Sequence, residues 1–148
     1  MARTARTLSA LRRPSAARGF SLIELMMVLC VVAILSAISY PVYKQHIIRG
    51  NREAAKAELV QIAAQQEKIY LNSDAYTSSI TTAYTGASTG GLGFTTGKTS
   101  NGKYTLTIAT AAQTYTVTAT PVSGTVQASD GNLTVASDGN RTWGATTW

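Results

Sequence analysis

The sequence predicts an α+β chain in which a long N-terminal helix, hydrophobic then amphipathic, packs on a small antiparallel β-sheet. Three observations predict it. Residues 20–40 form an apolar span, a stretch of helical period follows directly, and period-two alternation returns near the C-terminus.

The apolar span comes first. As a helix, residues 20–40 would be about 31 Å long, enough to cross a bilayer core. Pro41 then disfavours α geometry at Tyr40 and removes a backbone donor, so a kink is expected there. Beyond it, "REAAKAELVQIAAQQEKIYL" is rich in good helix formers. Leu59, Ile62, Ala63, Gln66, Ile69 and Tyr70 share one face, while Arg49–Glu53 and Glu53–Lys56 can pair on the other. Helix from Phe20 to Leu71 would be about 78 Å long, a rod for which a soluble domain of this size has no use.

Residues 72–102 are rich in Thr, Ser and Gly without period, and read as a long surface loop. Three strands are expected after it, at 103–109, 114–121 and 132–136. Each puts an apolar set on one face, such as Tyr104, Leu106 and Ile108, and threonines on the other. The amphipathic half of the helix is the available cover. The organisation is therefore a leader at 1–19, an apolar helix at 20–40, an amphipathic half at 41–71, a loop at 72–102 and a sheet with its C-terminal segment at 103–148.

The 148 residues carry a formal charge of +6, which invites a nucleic-acid reading until the charges are located. Arg3, Arg6, Arg12, Arg13 and Arg18 precede Gly19 with no acid among them. From Phe20 onward eight basic residues face seven acidic ones. The basic excess belongs to the leader, where it orients a membrane segment. Cys30, the one cysteine, lies within the apolar span and excludes an intrachain disulfide.

No catalytic constellation is present in the sequence. His46 is the single histidine, without a cysteine or carboxylate cluster around it, and "GGLGF" is loop punctuation. No catalytic residue, metal ligand or cofactor is expected. Asp130 and Asp138 each precede Gly, as ordinary turn residues do.

Glu24 is the anomaly, a carboxylate inside a membrane-length apolar run. Near a membrane helix centre an acid costs roughly 2.5–3.5 kcal/mol, somewhat less near an end, and such residues normally mark function. A secretory cut around Ser36–Ser39 is conceivable but leaves Glu24 unexplained. A cut between Gly19 and Phe20 gives it a partner, the new N-terminal ammonium of its own or the next subunit.

At this point the chain resembles the type IV pilins. "GFSLIELMMVLCVVAILSAISYPVY" is similar to their signal, in which a prepilin peptidase cuts after Gly and methylates the following Phe, with Glu at the fifth mature position. "IRGNREAAKAELVQIAAQQEKIYLNSDAYT" resembles the second half of the pilin helix, with Ile48 where an arginine is common. "YTLTIA", "YTVTATP" and the closing Trp148 resemble the PilE-like branch of small pilins, which includes minor pilins.

The resemblance implies a type IV pilin fold and a structural subunit, major or minor, of filaments for adhesion, twitching motility or DNA uptake. It implies Gly19 as the cleavage residue, Phe20 as the N-methylated terminus, Glu24 as the assembly residue and Pro41 as the kink. The implied partners are other pilin subunits, the prepilin peptidase/N-methyltransferase and the pilus assembly machinery. The implied location is the bacterial inner membrane, single-pass with the N-terminus cytoplasmic, and then the extracellular pilus. Two departures stand out: Ala33 replaces a helix-breaking Gly common in the family, and Asp130 and Thr147 stand about where a C-terminal disulfide is usual.

Two other functions have candidate residues in the sequence. A type II secretion pseudopilin tends to carry calcium-binding acids, for which Asp130 and Asp138 are the candidates. A DNA-binding minor pilin for natural transformation would rest on Lys98, Lys103 and Arg141 with Tyr104 and Trp143 nearby. Three charges are a weak electrostatic footprint, so the isolated head is expected not to bind duplex.

Overall fold

A computed structural model describes residues 19–148, so the five leader arginines lie outside the described residues. Two units meet at Ile38 and Ser39. Helix α1, Leu22–Ser73, runs 52 residues and includes Pro41. The helix continues through Ala33, Tyr40 and Pro41, so the loosening expected at the proline does not break it. α1 closes on Asp74, whose φ of 52° is left-handed and whose amide donates to the Tyr70 carbonyl at 2.8 Å.

In the first unit α1 is exposed all round. Every large apolar side chain from Phe20 through Ile38 is more than half exposed, and α1 carries a stretch of mean hydropathy 2.6, long and apolar enough to cross a membrane. Such a surface has no counterpart in a soluble monomer.

In the second unit the remainder of α1 behaves as an amphipathic helix. Ala55, Leu59, Ile62, Gln66 and Ile69 are buried, at the three- and four-residue spacing of one seam. The expected Ala63 and Tyr70 flank this seam half-buried. Glu53 pairs with Lys56 at 2.9 Å, and the alternative pair with Arg49 is not formed.

The sheet has five antiparallel strands in chain order: β1 Tyr104–Ala111, β2 Thr114–Pro121, β3 Leu133–Ala136, β4 Arg141–Trp143 and β5 Thr146–Thr147. Register aligns Leu106 with Ala119 and Ile108 with Val117, then Val117 with Val135 and Ala119 with Leu133. Buried side chains thus fall on one face. With the α1 seam they form the core, including Tyr104, Leu106, Tyr115, Val117, Leu133 and Val135.

Two expectations need correction. The sheet has five strands rather than three, because β4 and β5 are too short to show alternation and are recruited by pairing with β3. The loop after α1 is not simply a surface loop. Gln66 reaches from α1 to bond the Thr77 carbonyl at 2.6 Å and the Thr77 amide at 3.1 Å. Thr77 Oγ1 donates to the Gly90 carbonyl at 2.6 Å, and Leu92 is buried. A buried glutamine satisfying both backbone groups of one residue substitutes for regular structure there.

Candidate functional site

The N-terminal residues singled out by sequence sit together in the first unit. Gly19 and Phe20 precede α1, both exposed. A Cβ on Gly19 would meet nothing within 4 Å, so the fold itself does not demand glycine there. Glu24 lies in the first turn of α1 and is exposed among apolar side chains. A carboxylate in a first turn is favoured by the helix dipole by about 0.3–1 kcal/mol. Ser21 and Glu24 also have the spacing of a capping box. Neither gain requires the residue to be embedded in an apolar sleeve.

The second unit holds a site that sequence reasoning missed. Asp130, read as a turn residue, is buried, its side chain only 1% exposed. Arg52 Nε bonds its two carboxylate oxygens at 3.0 and 2.9 Å, and Arg52 Nη2 closes a third contact. The Tyr104 hydroxyl donates to Asp130 Oδ2 and accepts from Gln127 Nε2 at 2.7 Å. Gln127 Nε2 also reaches the Ile48 carbonyl at 3.2 Å, and Asn51 donates to Gln127 Oε1 at 3.1 Å. The segment between β2 and β3 is thereby tied to α1.

Electrostatics follow from that geometry. Burial opposes ionisation of Asp130, but hydrogen bonds from Arg52 and Tyr104 outweigh it and hold the carboxyl below its ordinary value. Arg52 is raised, first through its hydrogen bond to Asp130. Burial, then Asp130, pushes the Tyr104 hydroxyl upward. Gly131 adopts φ +90°, and a Cβ there would lie 3.3 Å from the Trp143 indole nitrogen, which donates to the Asp130 carbonyl. This ionic and hydrogen-bonded clamp occupies the region where the family resemblance implies a covalent crosslink. Its one readable signal is the Asp130–Gly131 pair in the tail.

The three basic residues named for DNA are not brought together. Lys98 bridges to Thr105 beside β1, and Lys103 directly precedes β1, whereas Arg141 lies on β4 beyond β2 and β3. Strand spacing alone separates β1 from β4 by about 14 Å. Glu58 accepts from the Ser100 amide at 3.1 Å, fixing a carboxylate on the turn between the two lysines. Tyr104 is fully buried and offers no ring to a ligand. Arg141 instead neighbours Trp148, with Cζ 5.5 Å from the ring centroid. His46 is exposed on α1, and Asp138 accepts the Asn140 amide within a turn.

With Cys30 alone, the melting temperature of the second unit is expected to ignore reductant. The Trp148 ring is half-buried and its indole donates to the Thr142 carbonyl at 2.9 Å. Trp148→Ala should cost about 1–3 kcal/mol, less than the 3–5 typical of a core tryptophan. Thermal unfolding with and without reductant checks both statements, and an unchanged midpoint for the alanine variant would mean the closing strand holds without that ring.

Comparison with known proteins supports one family across both units. Residues 14–40 match the prokaryotic N-terminal methylation motif. Residues 41–134 match the family described as type IV minor pilin ComP, DNA uptake sequence receptor. Over 59 residues the chain is 36% identical to the type IV major pilin protein PilA of Myxococcus xanthus (strain DK1622), covering 40% of this chain and 27% of that protein. An exposed apolar helix with a carboxylate in its first turn, an amphipathic continuation packed on an antiparallel meander, and a family match over most of the chain lead to one conclusion: the chain belongs to the type IV pilin family, within the group of the minor pilin ComP.

Proposed function

We propose that the chain is cut after Gly19, N-methylated on Phe20, and held in the inner membrane by its apolar helix with the basic leader cytoplasmic. It then passes into an extracellular pilus, where Glu24 meets a neighbour's Phe20 ammonium. Pro41 serves as the place where the helix can yield during that transfer. The carrying observation is the sleeve of exposed apolar side chains interrupted by one acid, at the first turn. In lipid the acid can snorkel to the interface; among packed subunits an unpaired charge is costly and a neighbour's terminus can neutralise it.

The processing part has a direct test. Intact-mass and N-terminal analysis of the mature protein should find methylated Phe20 first. Gly19→Leu should leave the leader attached and block assembly; a Cβ at Gly19 meets nothing within 4 Å, so such a loss would come from failed cleavage and not from a clash in the fold. A mature start near Ser36–Ser39 would indicate an ordinary secretory signal instead.

A second reading concerns what the pilus subunit does once displayed. The description of the matching family favours a scarce subunit that contacts DNA, against the expectation that the head ignores duplex. Counting copies in sheared filaments separates a minor from a major subunit, and duplex binding by the purified full-length protein in detergent tests the DNA contact.

A further inference from the structure

Four basic residues of the second unit, Arg49, Arg52, Lys56 and Arg141, gather on a face that the sequence does not group. Arg49, Arg52 and Lys56 follow at spacings of three and four on α1, which places them along one stripe. Arg52 lies over the Trp143 ring at 3.5 Å. Lys56 and Arg141 both lie by the Trp148 ring, at 5.2 and 5.5 Å. Arg49 and Arg52 line an open cleft of about 280 Å³ with Gln45, Ile48 and Trp143. Two indoles from the end of the sheet therefore hold cations from two different elements in one surface.

The charge balance on this face is favourable for an anion. Asp130 is consumed by Arg52 inside the clamp. Glu53, itself well exposed, pairs with the partly buried Lys56, and surface pairs of this kind are worth about 0–1 kcal/mol in general, so a phosphate can displace the carboxylate. Arg49 and Arg141 have no carboxylate partner among the described residues. Beside Lys98 and Lys103, by contrast, Glu58 is anchored on Ser100 and stays in place.

We infer that Arg49 and Lys56 of α1 and Arg141 of β4, arranged around Trp143 and Trp148, form the face that takes the phosphate backbone of DNA. The inference rests on the DNA-contact reading and adds where and how the contact is made. Arg52 is a positioning residue there, since its guanidinium is committed to Asp130 and sets the Trp143 ring. Contact through three cations is a sequence-independent hold on the backbone.

The test is the salt dependence of affinity for a labelled random-sequence duplex, measured with the full-length protein in neutral detergent. Three phosphate contacts predict a log–log slope of about −2.7, or a loss of about 40-fold between about 50 and 200 mM salt. Arg49→Ala, Lys56→Ala and Arg141→Ala should each flatten the slope by about 0.9, and Lys98→Ala and Lys103→Ala should leave it unchanged. Unchanged melting temperatures would show that the three substitutions on this face, two at exposed residues and one at the partly buried Lys56, leave the fold intact. If wild type binds but the triple variant keeps its slope, this face is wrong, and its cations serve lipid headgroups or neighbouring subunits. If the two lysine variants alone flatten the slope, the contact lies beside β1. No binding by wild type at low salt overturns the DNA reading itself.

Discussion

Glu24→Ala is expected to yield a chain that inserts in the membrane and loses its leader, yet enters filaments poorly or not at all. The side chain is exposed in the first turn of α1, so its removal disturbs no packing within the subunit. The expected loss arises between subunits, where a Phe20 ammonium would be left in an apolar environment. Breaking a buried pair by deleting one partner typically costs about 3–5 kcal/mol, far more than a first-turn carboxylate gains from the helix dipole. Glu24→Gln separates the two explanations. Glutamine can still serve the capping-box spacing with Ser21, so it should rescue assembly if Glu24 only caps the helix. If charge neutralisation is the role, glutamine should fail like alanine and aspartate should fall between. The measurement is the number of incorporated copies per filament, since a scarce subunit leaves visible filaments unaltered. Wild-type incorporation of the alanine variant would end the assembly role of Glu24.

The second large effect lies at Asp130. Asp130→Ala would strand Arg52 and the Tyr104 hydroxyl beside an empty site and release the segment between β2 and β3. The general cost of such a change is about 3–5 kcal/mol. For a unit of this size that is a fall in melting temperature of upwards of about 10 °C. Asp130→Asn should lose less, because an amide oxygen still accepts from Tyr104. The pH dependence has a definite sign. The folded carboxyl lies below its ordinary value, so its stabilisation is complete above the unfolded pKa of about 3.9 and is lost as pH falls through the folded value. Wild type should therefore hold its melting temperature from about pH 8 to 5 and lose stability below about 4, whereas Asp130→Asn should lose less over the same acid range. Equal midpoints for alanine variant and wild type would mean the tail is held by strand pairing and the two tryptophans alone.

Much of this molecule was legible from local pattern. A run of apolar residues at 20–40 has one physical solution, a helix in need of lipid or neighbours, and Glu24 announces itself there because a charge in such a run is costly. The seam at Leu59, Ile62, Gln66 and Ile69 and the alternation of β1, β2 and β3 are likewise local, since period and burial are the same fact seen twice. The roles proposed for Gly19, Phe20 and Glu24 likewise rest on residues within a few positions of one another.

The rest depends on separations that no periodicity encodes. Strands β4 and β5 hold only three and two residues and exist because β3 offers an edge to pair with. Arg52 and Asp130 are 78 positions apart, and each alone has an ordinary local explanation, a surface helix charge and a turn residue. Folding places them together in a low-dielectric site, where only a mutual pairing makes either tolerable. The three basic residues named for DNA are set apart for the same reason. Lys98, Lys103 and Arg141 are close in the chain's last third, but the meander carries Arg141 across the sheet to Trp148 and Lys56. Sequence by itself determined the membrane-length helix, its lone carboxylate and the helix-on-sheet architecture, because each follows from hydrophobic burial over neighbouring residues. Tertiary structure alone decided which charges are consumed in the Asp130 clamp and which stay at the surface, because electrostatic partnership depends on distance in space.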